Sequence, residues 1–159
     1  MIKEKGDAMN KIEDLVSRIT WAGRNMAYNL EFTPKEKLAW QPAKTANSTL
    51  DVVNHAVSSV YFTLDLLTGQ PSDRPTAHNK KEAQALILDS VKAYETAIKK
   101  LTTADLEKKL KLSWGDEWTA LRAIELPATD MLHHHGQVTY IQTILGDKES
   151  HFVPDDWQP

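Results

Sequence analysis

Cysteine is absent from all 159 residues. That excludes disulfide staples, thiolate zinc sites and a thiol nucleophile carried by the protein, so any sulfur chemistry would have to arrive with a cosubstrate. No apolar run approaches the roughly 20 residues that a membrane-spanning helix needs, and a membrane partner is not expected. The opening MIKEKGDAMNKIEDLV is charged and has no signal-peptide apolar core, which points to a cytoplasmic protein. An excess of positive charge is also missing. The formal net charge is −3 and the lysines alternate with acids, so there is no basic footprint and nucleic acid is not an expected partner. Gly-rich phosphate loops, G-x-S-x-G and H-E-x-x-H are all absent, as are internal repeats.

What is present is a chain of single-domain length with 41% apolar and 26% charged residues, ordinary for a globular protein. One domain over residues 1–159 is expected. Apolar residues recur with helical period at Ile12, Leu15, Val16, Ile19, Ala22, Met26 and Leu30, which predicts a first helix over about Asn10 to Leu30. Thr33-Pro34 suggests a short capped turn. Ser48 and Asp51 have capping-box spacing, opening a second helix that carries Leu50, Val53, Val57, Val60, Leu64 and Leu67 and stops at Gly69. Asn79 and Glu82 open a third helix with Ala83, Ile87, Val91, Tyr94, Ile98 and Leu101 on one side. Residues Thr102 to Glu117 show no strong strand alternation. A last helix is predicted from about Trp118 to Leu145, bent at Pro127. The tail DKESHFVPDDWQP is expected to pack through Phe152 and Trp157. The fold class predicted is all-α, an antiparallel four-helix bundle.

Half of the six histidines stand together in TDMLHHHGQVTY, Thr129 to Tyr140. Neighbouring helical residues point about 100° apart, so the three cannot share one site. His134 shares a face with Asp130 one turn earlier and Val138 one turn later. His133 falls on a more polar strip, and His135 on the Met131/Val138 packing stripe. On the second helix His55 shares a face with Val52, Ser59, Phe62 and Leu66, so partial burial is expected. An i,i+4 Asp130–His134 pair can clamp one divalent ion with coordination positions left open, and His55 is the inward histidine able to complete a two-histidine, one-carboxylate set. The same pair would serve equally as an aspartate–histidine hydrogen bond stabilising a bundle, and His55 as a core histidine. His78 and His151 read as solvated loop residues. Trp40, Trp114 and Trp118 could line a pocket mouth or simply pack.

Two stretches carry a resemblance. FTPKEKLAWQPAKTANSTLDVVNHAV, with Leu38-x-Trp40-x-Pro42 and His55, resembles the first loop and second-helix start of the DinB/YfiT-like superfamily. HHHGQVTYIQTILG resembles that family's final-helix signature, H-x-x-H-H-R-G-Q followed by an aromatic and Leu-Gly. The resemblance implies an antiparallel four-helix bundle of DinB/YfiT-like type, a homodimer, and a divalent ion (zinc, nickel or iron) held between helices two and four. It also implies, for some members, S-transferase or isomerase activity with low-molecular-weight thiols such as bacillithiol, mycothiol or glutathione. Carried over by position, His55 matches the second-helix ligand, and His134, two before Gly136, matches the later final-helix histidine. The earlier ligand position, six before the glycine, is Asp130. Aspartate thus replaces the usual histidine, and His135 replaces the usual arginine. Two functions follow as expectations. One is a metal-dependent enzyme, a thiol-dependent S-transferase or a hydrolase, with His55, Asp130 and His134 as metal ligands. The other is a non-catalytic bundle that binds a small molecule or partner around a degenerate metal site, which the aspartate favours.

Overall fold

A computed structural model describes the backbone of residues 2–159 and the side chains from residue 9 onward. Helix α1 runs Ile2–Asn29, starting earlier than the apolar periodicity predicts. Two short 3-10 turns, Leu30–Phe32 and Lys35–Lys37, follow it around Thr33-Pro34. Helix α2 (Thr49–Thr68) begins with the predicted capping box: Asp51 N donates to Ser48 Oγ at 3.2 Å, and Ser48 N donates to Asp51 Oδ2 at 3.0 Å. It stops at Gly69, whose φ of 68° is the left-handed conformation that glycine adopts at least cost. In α3 (Lys80–Ile98) Asn79 caps the amide of Glu82. The irregular stretch then resolves into a single helical turn, α4 (Thr103–Leu106), and a hairpin that sequence pattern did not predict. Strands β1 (Lys109–Lys111) and β2 (Glu117–Thr119) pair antiparallel with Leu110 opposite Trp118. Three residues per strand are too few for alternation to be recognised. Trp118 is therefore a strand residue, and the last helix, α5 (Ala120–Ile144), starts at Ala120 with Thr119 as its cap.

The four long helices enclose one core. Each packs against two others: α1 on α5 and α3, α2 on α5 and α3. The predicted stripes supply that core, including Ile19 and Met26 of α1, Val53, Val57 and Val60 of α2, Ile87, Tyr94 and Ile98 of α3, and Ile124 and Met131 of α5. Gly23 allows α1 to approach α3 closely, because a Cβ there would stand 2.6 Å from Val91 Cγ2. Among the described residues no helix is long and apolar enough to cross a membrane.

Two features fix what lies on either side of α5. Pro127 is buried within the helix and has no N–H, so the carbonyl of Ala123 loses its usual partner. Thr63 of α2 fills that role, its hydroxyl donating to Ala123 O at 3.1 Å inside the core. One residue on, the Tyr94 hydroxyl of α3 donates to the Ile124 carbonyl. On the opposite side, the C-terminal tail lies along α1. Asn29 Nδ2 donates to His151 O at 3.0 Å, Val153 N donates to Asn25 Oδ1 at 3.0 Å, and Arg24 Nη2 donates to Pro154 O at 3.1 Å. Trp157 meets Tyr28 edge-on, as the tail's predicted anchor should. Phe152, the other predicted anchor, is 69% exposed. His151, expected to be solvated, instead stacks on Phe32 at 3.5 Å with its Nε2 2.8 Å from Asp147 Oδ2.

Candidate metal centre

Along the α2–α5 seam residue numbers rise on one helix as they fall on the other: Thr63 meets Ala123, and His55 meets His134. Asp130, one turn before His134 on α5, joins the second pair. His55, Asp130 and His134 each offer one ligand atom, and these atoms all lie within 4.8 Å of one another. Ligands sharing one zinc ion at about 2.0–2.1 Å stand roughly 3.3 Å apart in a tetrahedral arrangement, so small side-chain rotations would close the set. Two imidazole nitrogens and a carboxylate are donors that suit zinc, iron or nickel.

The three positions differ in burial. His134 is buried at 6% exposure, Asp130 is half-buried, and His55 is exposed. The expected partial burial of His55 is therefore wrong. Val52, Val53, Ala56 and Val57 turn inward, while His55 lies at the solvent edge of the seam with Ser59 and Phe62 only half-buried beside it. Exposure also removes the reading of His55 as a core histidine. Its ring meets that of His134 edge-on, 4.9 Å between centroids.

His134 is oriented by Gln137, one turn on: Nδ1 stands 2.7 Å from Gln137 Oε1. A carboxamide oxygen can only accept, so Nδ1 carries the hydrogen and Nε2 is left with a lone pair. The aspartate–histidine hydrogen bond weighed from sequence is not formed among the described residues; His134 spends its N–H on Gln137 instead. Burial lowers the His134 pKa below the ordinary imidazole value. The Gln137 hydrogen bond and the Asp130 charge oppose that shift, and the neighbouring His55 and His133 add to it. A neutral imidazole is the form that ligates. Gln137, which contacts His134 here, was not singled out from sequence. The i,i+3 spacing from His134 was the available signal.

The remaining candidates fall elsewhere. His133 is exposed, with its ring 4.9 Å from that of His134. His135 is half-buried against Trp21, edge-on at 5.7 Å, and faces the α1 side. His78 is exposed. Trp114 and Trp118 sit on the hairpin, where Trp114 stacks on Phe62 of α2, Arg74 lies over Phe62 and Arg122 over Trp118. These contacts dock the hairpin onto α2 and the start of α5. Trp40 is half-buried against the core.

The family model of the DinB superfamily matches residues 18–138, which include all three candidate ligands. Among solved structures the chain is similar to a DinB-like protein from Bacillus subtilis, with a TM-score of 0.71, 20% identity, and coverage of 87% of this chain and 96% of that one. It is also similar to a DinB-like protein from Bacillus cereus, with a TM-score of 0.69, 19% identity, and coverage of 84% and 92%. A third, described as the sibling lethal factor precursor DfsB, gives 0.67 at 13% identity over 85% and 96%. At these identities the likeness is one of fold alone. No curated protein matches the sequence.

Proposed function

Since the chain belongs to the DinB superfamily, we propose that it is a metal-dependent enzyme whose single divalent ion is held by His55, Asp130 and His134. The observation that carries the proposal is the convergence of these three groups within 4.8 Å, with the His134 tautomer set by Gln137. Such an ion, when bound, supplies Lewis acidity and lowers the pKa of a coordinated water or thiol. The chain's own residues do the rest. Gln137 holds Nδ1 of His134 and leaves Nε2 with its lone pair, burial keeps that ring neutral, and the exposed edge at His55 leaves the centre open to a reactant. Asp130 brings one negative charge where the family usually has a neutral ring, which favours a harder ion. Without cysteine, a thiol-dependent S-transfer would take its sulfur from a low-molecular-weight thiol; a hydrolase would use water. The helix pairing supports reading the four long helices as an antiparallel bundle. The exposed Leu132, Tyr140 and Ile144 on α5 support a homodimer.

The test is metal analysis of untagged protein, followed by zinc titration of the parent, His55→Ala and His134→Ala. Stoichiometric zinc that both variants lose is expected. Unchanged metal content in both would overturn the site. A second reading, a binding bundle without catalysis, is favoured by the aspartate at position 130 and the loose spacing of the ligand atoms. Asp130→His separates the two. A large gain in zinc affinity identifies a weakened centre, whereas little change identifies aspartate as the working ligand.

A further inference from the structure

Further along the seam, on the side away from the hairpin, the loop before α2 and the second half of α5 border a cavity of about 340 Å³. It begins one turn from the triad on α2, at Val52, and at Gln137 on α5, the residue bonded to His134. Val52, Ile141, Ile144 and Pro42 give it an apolar lining. Its polar residues are Thr45, Asn47, Gln137 and Tyr140, and Ala46 completes the lining. Among the described residues no charged side chain lines it.

That lining selects by charge. A carboxylate, phosphate or ammonium brought against its buried floor of Val52 and Ile141 would lose part of its hydration and meet no counter-ion, which is costly. An uncharged molecule with an apolar body and one amide, carbonyl or hydroxyl edge meets both needs. The volume lies at the lower end of the range for small-molecule sites. Gln137 is suited to reading that edge. Its oxygen is engaged by His134, so its NH₂ group has hydrogens to donate.

We propose that this cavity holds the uncharged, amphipathic part of the substrate, with Gln137 hydrogen-bonded to the occupant on one side and to His134 on the other. The link to chemistry rests on the triad being a metal centre; occupancy of the cavity does not. It follows that the charged portions of a glutathione-like thiol do not sit here.

The experiment uses four probes of one size, benzamide, benzyl alcohol, benzoate and benzylamine, titrated into zinc-treated and metal-free protein by two-dimensional amide NMR. Benzamide and benzyl alcohol are expected to bind, benzamide moving the side-chain amide signals of Asn47 and Gln137. Benzoate and benzylamine should bind at least about tenfold more weakly, from the penalty for an unpaired charge. Gln137→Leu should weaken benzamide by about tenfold, the worth of one hydrogen bond. Ala46 also lines the cavity, and Ala46→Trp should fill it and abolish binding while zinc titration is unchanged. Asn47→Asp, at an exposed loop position, should shift preference toward benzylamine. Equal binding of all four probes, or benzamide binding unaltered by Ala46→Trp, overturns the cavity proposal. Zinc binding with no benzamide response sinks the cavity alone. Benzamide binding with no zinc uptake supports the cavity and removes the metal centre.

Discussion

His134 and His135 are neighbours in sequence and face different neighbours of α5, α2 and α1, in two regions built on different principles. On the α1 side, the side-chain amides of Asn25, Asn29 and Gln142 have found partners, although the hydroxyls of Thr20 and Thr33 have not. Asn25, Asn29 and Gln142 bond to backbone carbonyls or amides, and the tail supplies the groups they need. His135 sits there against Trp21 and beside Asn29. On the α2 side, His55, Asp130 and His134 are brought together without hydrogen bonds to one another among the described residues, and His134 keeps a nitrogen free. Polar groups that satisfy each other hold a structure together. Polar groups gathered and left with open lone pairs are ready for something else, and this difference separates the two histidines more sharply than burial does.

The contrast can be broken first at the histidines themselves. His134→Ala is expected to lower zinc affinity by more than about 100-fold, since loss of an outer-shell partner alone costs about 10–100-fold. His135→Ala should leave zinc affinity unchanged and reduce only stability; calorimetric titration checks both, and equal losses would erase the distinction. Next in size is Asn29→Leu. It strips a donor from the His151 carbonyl and should cost about 2 kcal/mol in urea unfolding with zinc affinity intact. Thr63→Val keeps the shape but leaves the Ala123 carbonyl unpaired beside Pro127, an expected loss of about 1–2 kcal/mol. The smallest effect is that of pH. Burial holds both His134 and His135 below the ordinary imidazole value, so the unfolded chain takes up protons at a higher pH than the folded one. Their contribution is complete above about pH 6.5 and declines as pH falls through and below it. Urea midpoints from about pH 8 down to pH 5 should fall, and His135→Gln should flatten that slope.

The long helices were legible because each repeats an apolar stripe over several turns; α2 and α3 also begin with recognisable caps, Ser48 and Asn79, and Gly69 ends α2 as its type requires. The pairing of Asp130 with His134 on one face was legible for the same reason. The exposure of His55 was not. It depends on how far α2 is rotated about its own axis, and that rotation is set by Val53, Val57 and Val60 packing on helices distant in sequence. The hairpin was too short to show a period. Of the tail's anchors Trp157 was legible, but the polar ones were not, because Asn25 and Asn29 carry no apolar signal and their role appears only when residues 151–154 are laid beside them.

That docking also carries a consequence for the order of events in time. The bonds that complete the polar face of α1 join residues 122 to 130 positions apart, among the most non-local contacts in the chain. Closing loops of that span is slow relative to helix pairing, and on a ribosome α1 would emerge long before the segment that covers it. The helical core can therefore assemble while Asn25 and Asn29 still face water, with the tail arriving last as a latch. Refolding followed at Trp157 should lag behind refolding followed by helix content.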